Sequence, residues 1–447
     1  MAEPIISVSG LRGIVGETLT PEVAIRYAAA FAVLAPPGPI AVGRDGRPSG
    51  RMLTAAIHAG LNAVGRATCD AGILPTPTLG VLVRELKAAG AIQVTASHNP
   101  LPYNGMKLFS AAGRVIPAGP GAEVLKAYRA ALPAWVAHDR LGGRSDCADP
   151  LAGHLRAVLA TVDRERIRDR RFKVLLDANH GAGGALGRRL LEDLGCTVTL
   201  LGEQADGQFA HPPEPTAENL AGVLAAVTAA GADIGFCQDP DADRLAVVDA
   251  SGRYLGEEYT LALCLDHVLR QRKGPIVANC ASSRMSADLA AKYGVPFVRS
   301  AVGEANVVDA MLARQAVFGG EGNGGPIDPR VGLVRDSFAG MALLLDAMTA
   351  RQAPVGRLAD ELPRYEIIKT KIALPAEKVP GAVAALRRQF PAAAADELDG
   401  LRLDWPDRWL LVRASNTEPI VRAIAEAPTV ADATALCEQA AAVLAAV

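Results

Sequence analysis

The stretch Ala91-Ile92-Gln93-Val94-Thr95-Ala96-Ser97-His98-Asn99-Pro100 begins as a short apolar run and ends in a turn signal. Ala91 to Val94 predicts a buried strand, and the Asn-Pro pair predicts that the chain turns directly after it. A serine at the mouth of such a turn can project its hydroxyl into a cleft, so Ser97 is a candidate nucleophile. A turn serine that bonds its own backbone is the alternative interpretation of the same string.

Strands and helices alternate on both sides of this stretch, which is typical of α/β domains. The 447 residues are too many for one hydrophobic core. Fresh strand-and-helix units begin near residue 150 and again near residue 253. We therefore predict three similar α/β domains, at residues 1–150, 151–252 and 253–365, and a smaller last unit at residues 366–447. Arg12 falls in Ser9 to Gly13, which we expect to be a glycine-rich loop.

Composition narrows the class of protein. A net charge of -2 argues against a nucleic-acid-binding protein, which usually carries a basic face. Apolar runs stay well below the roughly 20 residues that a membrane span needs, and the first residues do not resemble a signal peptide. The seven cysteines are scattered without a disulfide framework, which indicates a reducing cytoplasm.

The string Asp239-Pro240-Asp241-Ala242-Asp243-Arg244 lies between two apolar strands. Carboxylates about 5 Å apart at an effective dielectric near 20 repel by roughly 3 kcal/mol per pair. A divalent cation would offset that repulsion, and ligands that are all oxygen suit Mg²⁺. A solvated acidic turn, in which water screens the charges, is the alternative.

Two further strings could bind a substrate. Glycines around Glu321 and Asn323 let the backbone approach a ligand closely, and a carboxylate beside an amide could hold sugar hydroxyls. The alternative is a flexible surface loop. Near the carboxyl end, hydroxyl, amide and guanidinium donors suited to a phosphate follow a predicted strand, although a polar turn would look the same. These donors are Arg413, Ser415, Asn416, Thr417 and Arg422.

Together these strings indicate phosphoryl transfer, because they combine a nucleophile, a metal loop, a phosphate cradle and a polyol-binding loop. In this order, and over the whole length, they resemble the α-D-phosphohexomutases, the family of phosphoglucomutases, phosphomannomutases and phosphoglucosamine mutases. The resemblance implies mixed sheets in the three α/β domains and a C-terminal α+β domain, all placed around one central cleft.

The resemblance also implies roles for individual residues. Ser97 would be phosphorylated in the resting enzyme, and Mg²⁺ would be bound by Asp239, Asp241, Asp243 and the phosphoserine. Asn104 to Lys107 matches the family's N-G-x-K, which makes Lys107 the general acid or base. His98 could assist or only pack. Arg12 is retained, and Arg244 would neutralise the transferring group.

The reaction that the family implies is the reversible interconversion of a hexose 1-phosphate and 6-phosphate through a hexose 1,6-bisphosphate. Asn323 and Gly325 depart from the family's usual serine and histidine, and Asn323 favours glucosamine phosphate over mannose or glucose phosphate. A sugar phosphatase and a non-catalytic sugar-phosphate sensor are the alternatives from other classes. We expect a small-molecule substrate, no nucleic-acid or membrane partner, and a monomer or homodimer.

Overall fold

A computed structural model of the protein describes residues 3–7, 10–130, 134–414 and 420–446. Each predicted unit contains one β-sheet, and the sheets of the first three units mix parallel and antiparallel strands. The predicted fold class is thereby confirmed, whereas the unit boundaries stay a prediction. Every helix in the described ranges is too short or too polar to cross a membrane.

The first domain has a sheet in the order β1-β2-β6-β5-β3-β4-β7. Its strands are β1 (Ile5–Ser7), β2 (Gly10–Ile14), β3 (Ile40–Arg44), β4 (Thr68–Ile73), β5 (Gly90–Val94), β6 (Tyr103–Ser110) and β7 (Arg144–Asp146). Its helices are α1 (Pro21–Leu34), α2 (Gly50–Ala63), α3 (Thr76–Glu85) and α4 (Ala118–Arg129). Thr20 caps α1, because its hydroxyl accepts a hydrogen bond of 3.3 Å from the Val23 amide.

The second domain orders its strands β11-β10-β8-β9. They are β8 (Lys173–Asp177), β9 (Thr197–Leu201), β10 (Ile234–Gln238) and β11 (Leu245–Asp249). The helices are α5 (Ala152–Leu159), α6 (Arg164–Arg168), α7 (Gly184–Asp193) and α8 (Ala221–Ala229). Because β11 is antiparallel to β10 at the edge of the sheet, the aspartate-rich string forms the connection between them.

The third domain orders its strands β13-β12-β14-β15. They are β12 (Ile276–Asn279), β13 (Phe297–Ser300), β14 (Phe318–Glu321) and β15 (Gly325–Ile327). The helices are α9 (Glu257–Gln271), α10 (Met285–Tyr293), α11 (Glu304–Arg314), α12 (Ser337–Arg351) and α13 (Val355–Asp360). Residues 337–349 of α12 are all buried, and α12 joins the hydrophobic cores of the second and third domains into one cluster.

The fourth domain is an antiparallel sheet in the order β16-β20-β19-β18-β17. Its strands are β16 (Glu366–Ala373), β17 (Ala394–Asp396), β18 (Leu401–Asp404), β19 (Trp409–Ala414) and β20 (Ile420–Ala427). Its helices are α14 (Val379–Gln389) and α15 (Val430–Ala445). A core of its own lies between sheet and helices, while Trp409 packs with Cys280 of the third domain.

Two expectations from the sequence are wrong. Arg12 lies on strand β2 and not in a loop, because the glycines there permit close pairing of backbones: a Cβ at Gly10 would stand 2.0 Å from the Met106 carbonyl oxygen. The second wrong expectation is that the scattered cysteines form no disulfide. Cys69 and Cys147 do form one, because β4 and β7 are parallel neighbours and bring these distant residues close together.

A buried chain of hydrogen bonds joins the first three domains. The Nδ1 atom of His154 on α5 lies 2.8 Å from the Thr78 hydroxyl on α3, and its Nε2 atom lies 2.8 Å from a carboxylate oxygen of Asp336. The same Asp336 caps α12 through its other oxygen. Because His154 is fully buried, water cannot replace either bond.

We predict that His154→Ala lowers the free energy of unfolding by about 2–5 kcal/mol, since it leaves two buried polar groups without a partner. Urea denaturation monitored by fluorescence, together with thermal unfolding in a calorimeter, measures the change. His138→Ala is the matched control, because His138 is exposed. Equal stability of the two variants would contradict a joining role for His154.

Candidate active site

The serine turn follows β5 with a strained backbone. Ser97 has a φ of 48°, in the left-handed region that non-glycine residues seldom adopt. Its amide donates to the Thr95 hydroxyl at 2.9 Å, and that hydroxyl donates to Asp45 at 2.7 Å. The side chain is almost fully buried. Such strain persists only where the surroundings hold it in place, and it is often found at functional sites.

Arg47 is what holds the serine turn. Its guanidinium is fully buried, donates through Nε to Asp45 at 3.2 Å and lies 5.0 Å from the centre of the Phe209 ring. The remaining donors reach carbonyl oxygens around the turn at distances of 2.5–3.1 Å. These carbonyls belong to Ser97, Asn99, Pro100 and Tyr103. One planar side chain therefore satisfies four carbonyls, which the point charge of a lysine could not do.

The turn brings Ser97 to the aspartate loop of the second domain. The Ser97 hydroxyl donates to Asp239 at 2.7 Å. Asp239, Asp241 and Asp243 are all fully buried, and oxygens from the three carboxylates lie within 4.8 Å of one another. The solvated acidic turn is therefore wrong, because water does not screen these charges.

Cations from two other domains approach the buried carboxylates. The Lys107 ammonium on β6 lies 2.9 Å from Asp243 and 3.3 Å from Asp241. Arg335, directly before α12, donates to the same Asp243 oxygen at 2.6 Å. Thr76 at the start of α3 donates its hydroxyl to Asp241 at 2.6 Å and its amide to the Asp241 carbonyl at 2.9 Å.

The pKa values follow from this arrangement. Burial, together with Asp241 and Asp243, raises the pKa of Asp239 well above its usual range. Burial would also raise the pKa of Asp243, but Arg335 and Lys107 outweigh it and hold that pKa below its usual range. Burial alone would lower the pKa of Lys107, whereas Asp243 and Asp241 raise it overall. Lys107 is therefore a charged ammonium at neutral pH.

The donor set fits a divalent cation. Asp241 and Asp243 each keep one buried Oδ1 atom that has no hydrogen-bond partner among the described residues. Together with Asp239 they present hard carboxylate oxygens in one small region, which is what Mg²⁺ binds. A bound cation would satisfy both oxygens and lower the repulsion among the three carboxylates.

Three further predicted residues surround Ser97. The Arg12 guanidinium donates to the Asn99 side chain at 2.6 Å. The Arg244 amide donates to Asp239 at 3.1 Å, and its buried Nε has no partner in the described part of the chain. The His98 Nδ1 atom lies 3.3 Å from the Ser97 hydroxyl, and burial with Arg244 and Arg12 lowers the pKa of His98 to about 2. His98 is therefore neutral.

The predicted sugar loop connects β14 to β15. Glu321, the last residue of β14, is buried and accepts from Asn279 at 2.6 Å, from the Gly303 amide at 3.0 Å and from Arg335 at 2.8 Å. Most of its acceptor capacity is thus used within the protein. Asn323 differs, because its buried Oδ1 atom has no partner within the described ranges.

The predicted phosphate cradle is only partly described. Arg413 on β19 lies opposite Arg422 on β20, which places two guanidinium groups on neighbouring strands. Arg413 pairs with Asp399 at 3.3 Å, and Asp399 also accepts from the Val302 amide of the third domain at 2.9 Å. Ser415, Asn416 and Thr417 lie outside the described residues.

Sequence reasoning missed the residues that connect these parts. Arg335 joins the aspartate loop to Glu321, yet in the sequence it is only an arginine before an apolar helix. Arg47 was visible in Gly43 to Gly50 as one of two arginines, without a sign that it would be buried. The sequence does offer one signal here, the pair Arg335-Asp336 directly before the apolar α12. An aspartate at that position predicts a helix cap, which would have placed Arg335 at the start of a buried helix.

Four domains of one protein family match successive parts of the chain. The phosphoglucomutase/phosphomannomutase alpha/beta/alpha domains I, II and III match residues 5–132, 152–252 and 257–365, and the C-terminal domain of the same family matches residues 370–443.

Individual proteins are similar over nearly the whole length. A phosphoglucomutase/phosphomannomutase of Thermococcus kodakarensis is 36% identical over 94% of this chain and 93% of its own. A probable phosphoglucosamine mutase of Thermococcus gammatolerans is 33% identical over 97% of this chain and 96% of its own. The crystal structure of a phosphoglucomutase/phosphomannomutase family protein from Burkholderia thailandensis, 28% identical, has a TM-score of 0.85 and covers 99% of this chain and 98% of its own.

We predict that Arg47→Lys lowers the free energy of unfolding by about 2–4 kcal/mol, because lysine leaves at least two carbonyls of the serine turn without a donor. Urea denaturation measures the loss. Arg51→Lys on the exposed side of α2 is the matched control and should change stability by less than about 0.5 kcal/mol. If both variants are equally stable, the turn does not depend on Arg47.

We also predict that Asp241→Asn weakens Mg²⁺ binding by at least about 10–100-fold, the loss typical of changing even a group that only supports a metal ligand. Isothermal titration calorimetry with Mg²⁺ measures the affinity. Asp206→Asn, an exposed change in the same domain, should leave it unaltered. Undiminished affinity in Asp241→Asn would make the loop a structural turn.

Proposed function

Because the chain belongs to the phosphoglucomutase/phosphomannomutase family, whose members are phosphohexomutases, we propose that it moves a phosphoryl group between positions 1 and 6 of a hexose by way of Ser97. The protein is an isomerase of the intramolecular phosphotransferase type, as the sequence predicted. The observation that supports Ser97 is its buried hydroxyl, 2.7 Å from Asp239 at the aspartate loop.

Two equivalent transfers make up the proposed reaction. Phospho-Ser97 gives its phosphoryl group to the free hydroxyl of a hexose monophosphate: the bond from phosphorus to the Ser97 oxygen breaks as the bond to the sugar oxygen forms. One proton passes from the sugar hydroxyl to the Ser97 oxygen. The hexose 1,6-bisphosphate then turns over in the cleft and returns its other phosphoryl group to Ser97.

We assign Lys107 to the transfer of that proton. Its ammonium carries a proton at neutral pH and lies beside the aspartate loop that faces Ser97. His98 is neutral and lies next to the serine hydroxyl, so we assign it the orientation of that hydroxyl, with proton transfer as the alternative.

The negative charge of the transferring group needs cationic partners. Arg12 and Arg244 supply two guanidinium groups around the serine turn. Asp239, Asp241, Asp243 and the phosphoserine would bind Mg²⁺, which when bound balances the charge on the phosphoryl oxygens.

The rest of the substrate would contact the third and fourth domains. Arg413 and Arg422, with Ser415, Asn416 and Thr417, are proposed to hold the phosphate that does not react. Arg413 would then exchange Asp399 for the phosphate. Asn323 is proposed to contact the sugar directly, while Glu321 contacts it or positions the loop through Arg335.

For the sugar itself we propose glucosamine phosphate. The support is the unpartnered amide oxygen of Asn323 and the similarity to a protein named a probable phosphoglucosamine mutase. Mannose or glucose phosphate is the alternative, since another relative is named a phosphoglucomutase/phosphomannomutase. We further propose a monomer or homodimer that acts on such a small molecule.

We predict that Ser97→Ala lowers mutase activity at least about 10³-fold, because no other group takes over an absent nucleophile. A coupled assay with hexose 1-phosphate and added 1,6-bisphosphate measures turnover. Ser110→Ala, at the far end of β6, is the control for removing a hydroxyl from the same domain. Normal turnover by a folded Ser97→Ala protein would rule out the phosphoserine mechanism.

A further inference from the structure

A cavity of about 590 Å³ lies between the third and fourth domains, beside the sugar loop. Its wall includes the start of α9, the loop residue Gly322, and Lys369 and Glu426 from β16 and β20. Volumes of 300–1,000 Å³ are usual for small-molecule sites. The proposed reaction places no group in this cavity.

Four glutamates line the cavity, and one of them, Glu366, pairs with Arg364 at 3.6 Å. Glu426 is fully buried, and one of its oxygens accepts from the Trp409 indole at 2.7 Å and from the Arg284 amide at 3.0 Å. Its other oxygen, Oε2, has no partner among the residues that the structure describes. The Oε1 atom of Glu257 is also buried without a partner there, and Glu258 accepts from the Ser283 amide at 2.9 Å.

Most cations near these glutamates pair with other carboxylates. Two of the lining cations are paired elsewhere, Arg253 with Asp360 at 2.8 Å and Arg364 with Glu366 at 3.6 Å. Arg244 and Lys369 act on Glu257, Lys369 acts on Glu258, and Arg402, which pairs with Asp404 at 2.9 Å, acts on Glu426. The Lys369 side chain is largely exposed. Burial raises the pKa of Glu257 and Glu426, and it raises the pKa of Glu258 to about 8. A cation that entered the cavity would therefore favour the ionised carboxylates.

The carboxylate of Glu258 lies directly behind the sugar loop. A Cβ atom added to Gly322 would stand 1.9 Å from its Oε2 atom, so the carboxylate would have to move if residue 322 carried a side chain. Gly322 lies between Glu321 and Asn323. Gly322 also lines the cavity, so the cavity adjoins the loop that carries Asn323.

We propose that this cavity receives the ammonium group of a 2-amino-2-deoxyhexose phosphate, an inference that rests on the proposed function. An ammonium has three donors, and the cavity offers unpartnered oxygens on Glu257 and Glu426 in addition to Glu258. A metal ion fits less well: within the described residues, ligand oxygens of three acidic residues converge within 4.8 Å only in the aspartate loop. Selection of the amino sugar thus arises from charge as well as from Asn323.

The test is the ratio of kcat/KM for glucosamine 1-phosphate to kcat/KM for glucose 1-phosphate. In Glu258→Gln we expect this ratio to fall about 10–100-fold, the usual cost of losing a hydrogen bond to a charged group. Glu257→Gln is the second variant. The Glu257 Oε1 atom accepts no hydrogen bond from the described residues, so the change breaks none there and the variant should fold normally. Glu361→Gln, an exposed residue outside the cavity, is the control that should keep the ratio.

The outcomes separate this inference from the proposed function. If the unaltered protein converts both sugar phosphates but neither glutamine variant changes the ratio, the ammonium site is wrong and the mutase stands. If it converts neither of these nor mannose 1-phosphate, the proposed mutase function is wrong and the ammonium site with it. A second Mn²⁺ equivalent that binds the unaltered protein and is lost in Glu258→Gln would show a metal site and overturn the ammonium site.

Discussion

Three carboxylates buried within 4.8 Å of one another are the constraint on which the rest of the site depends. Removing such charges from water is costly unless they are paired and hydrogen-bonded. Lys107 from the first domain and Arg335 from the third provide that pairing, and the Ser97 hydroxyl donates to Asp239. The aspartate loop therefore brings together the Ser97 hydroxyl, the Lys107 ammonium and, through Arg335, the loop that begins at Glu321.

The same constraint explains why several domains are needed. Each donor to the aspartate loop is held by an element of another domain: Lys107 by β6 and Thr76 by the start of α3 in the first domain, and Arg335 by its position before α12 in the third. Arg335 donates to Glu321, and Glu321 accepts from the Gly303 amide. The preceding amide, that of Val302, donates to Asp399. Asp399 pairs with Arg413. The aspartate loop is thus connected, through hydrogen bonds and the peptide link from Val302 to Gly303, with the arginine that we propose for the distant phosphate.

Local patterns in the sequence predicted much of this structure, and long-range pairing accounts for the rest. Ser97 and the aspartate loop each occur in a short string with its own turn and strand signals, so their position at strand ends could be predicted. Asp243, a partner of Arg335, and the Ser97 carbonyl, a partner of Arg47, are separated from these arginines by 92 and 50 residues, and nothing in a local window reveals which arginine will be buried. Arg12 was misplaced because glycines that allow close strand pairing look like loop glycines. Cys69 and Cys147 were missed for the same reason as the arginines, since only the pairing of β4 with β7 brings them together.

The location of the transferred phosphate tests the role of the aspartate loop most directly. The purified protein would be incubated with glucose 1,6-bisphosphate and Mg²⁺, digested, and mapped by mass spectrometry. We predict a single added phosphate on the peptide that contains Ser97, and none on that peptide when Asp241→Asn protein is treated in the same way. Phosphate on another residue, or no phosphate on the unaltered protein, would contradict the view that the buried carboxylates serve to place Ser97 for phosphoryl transfer.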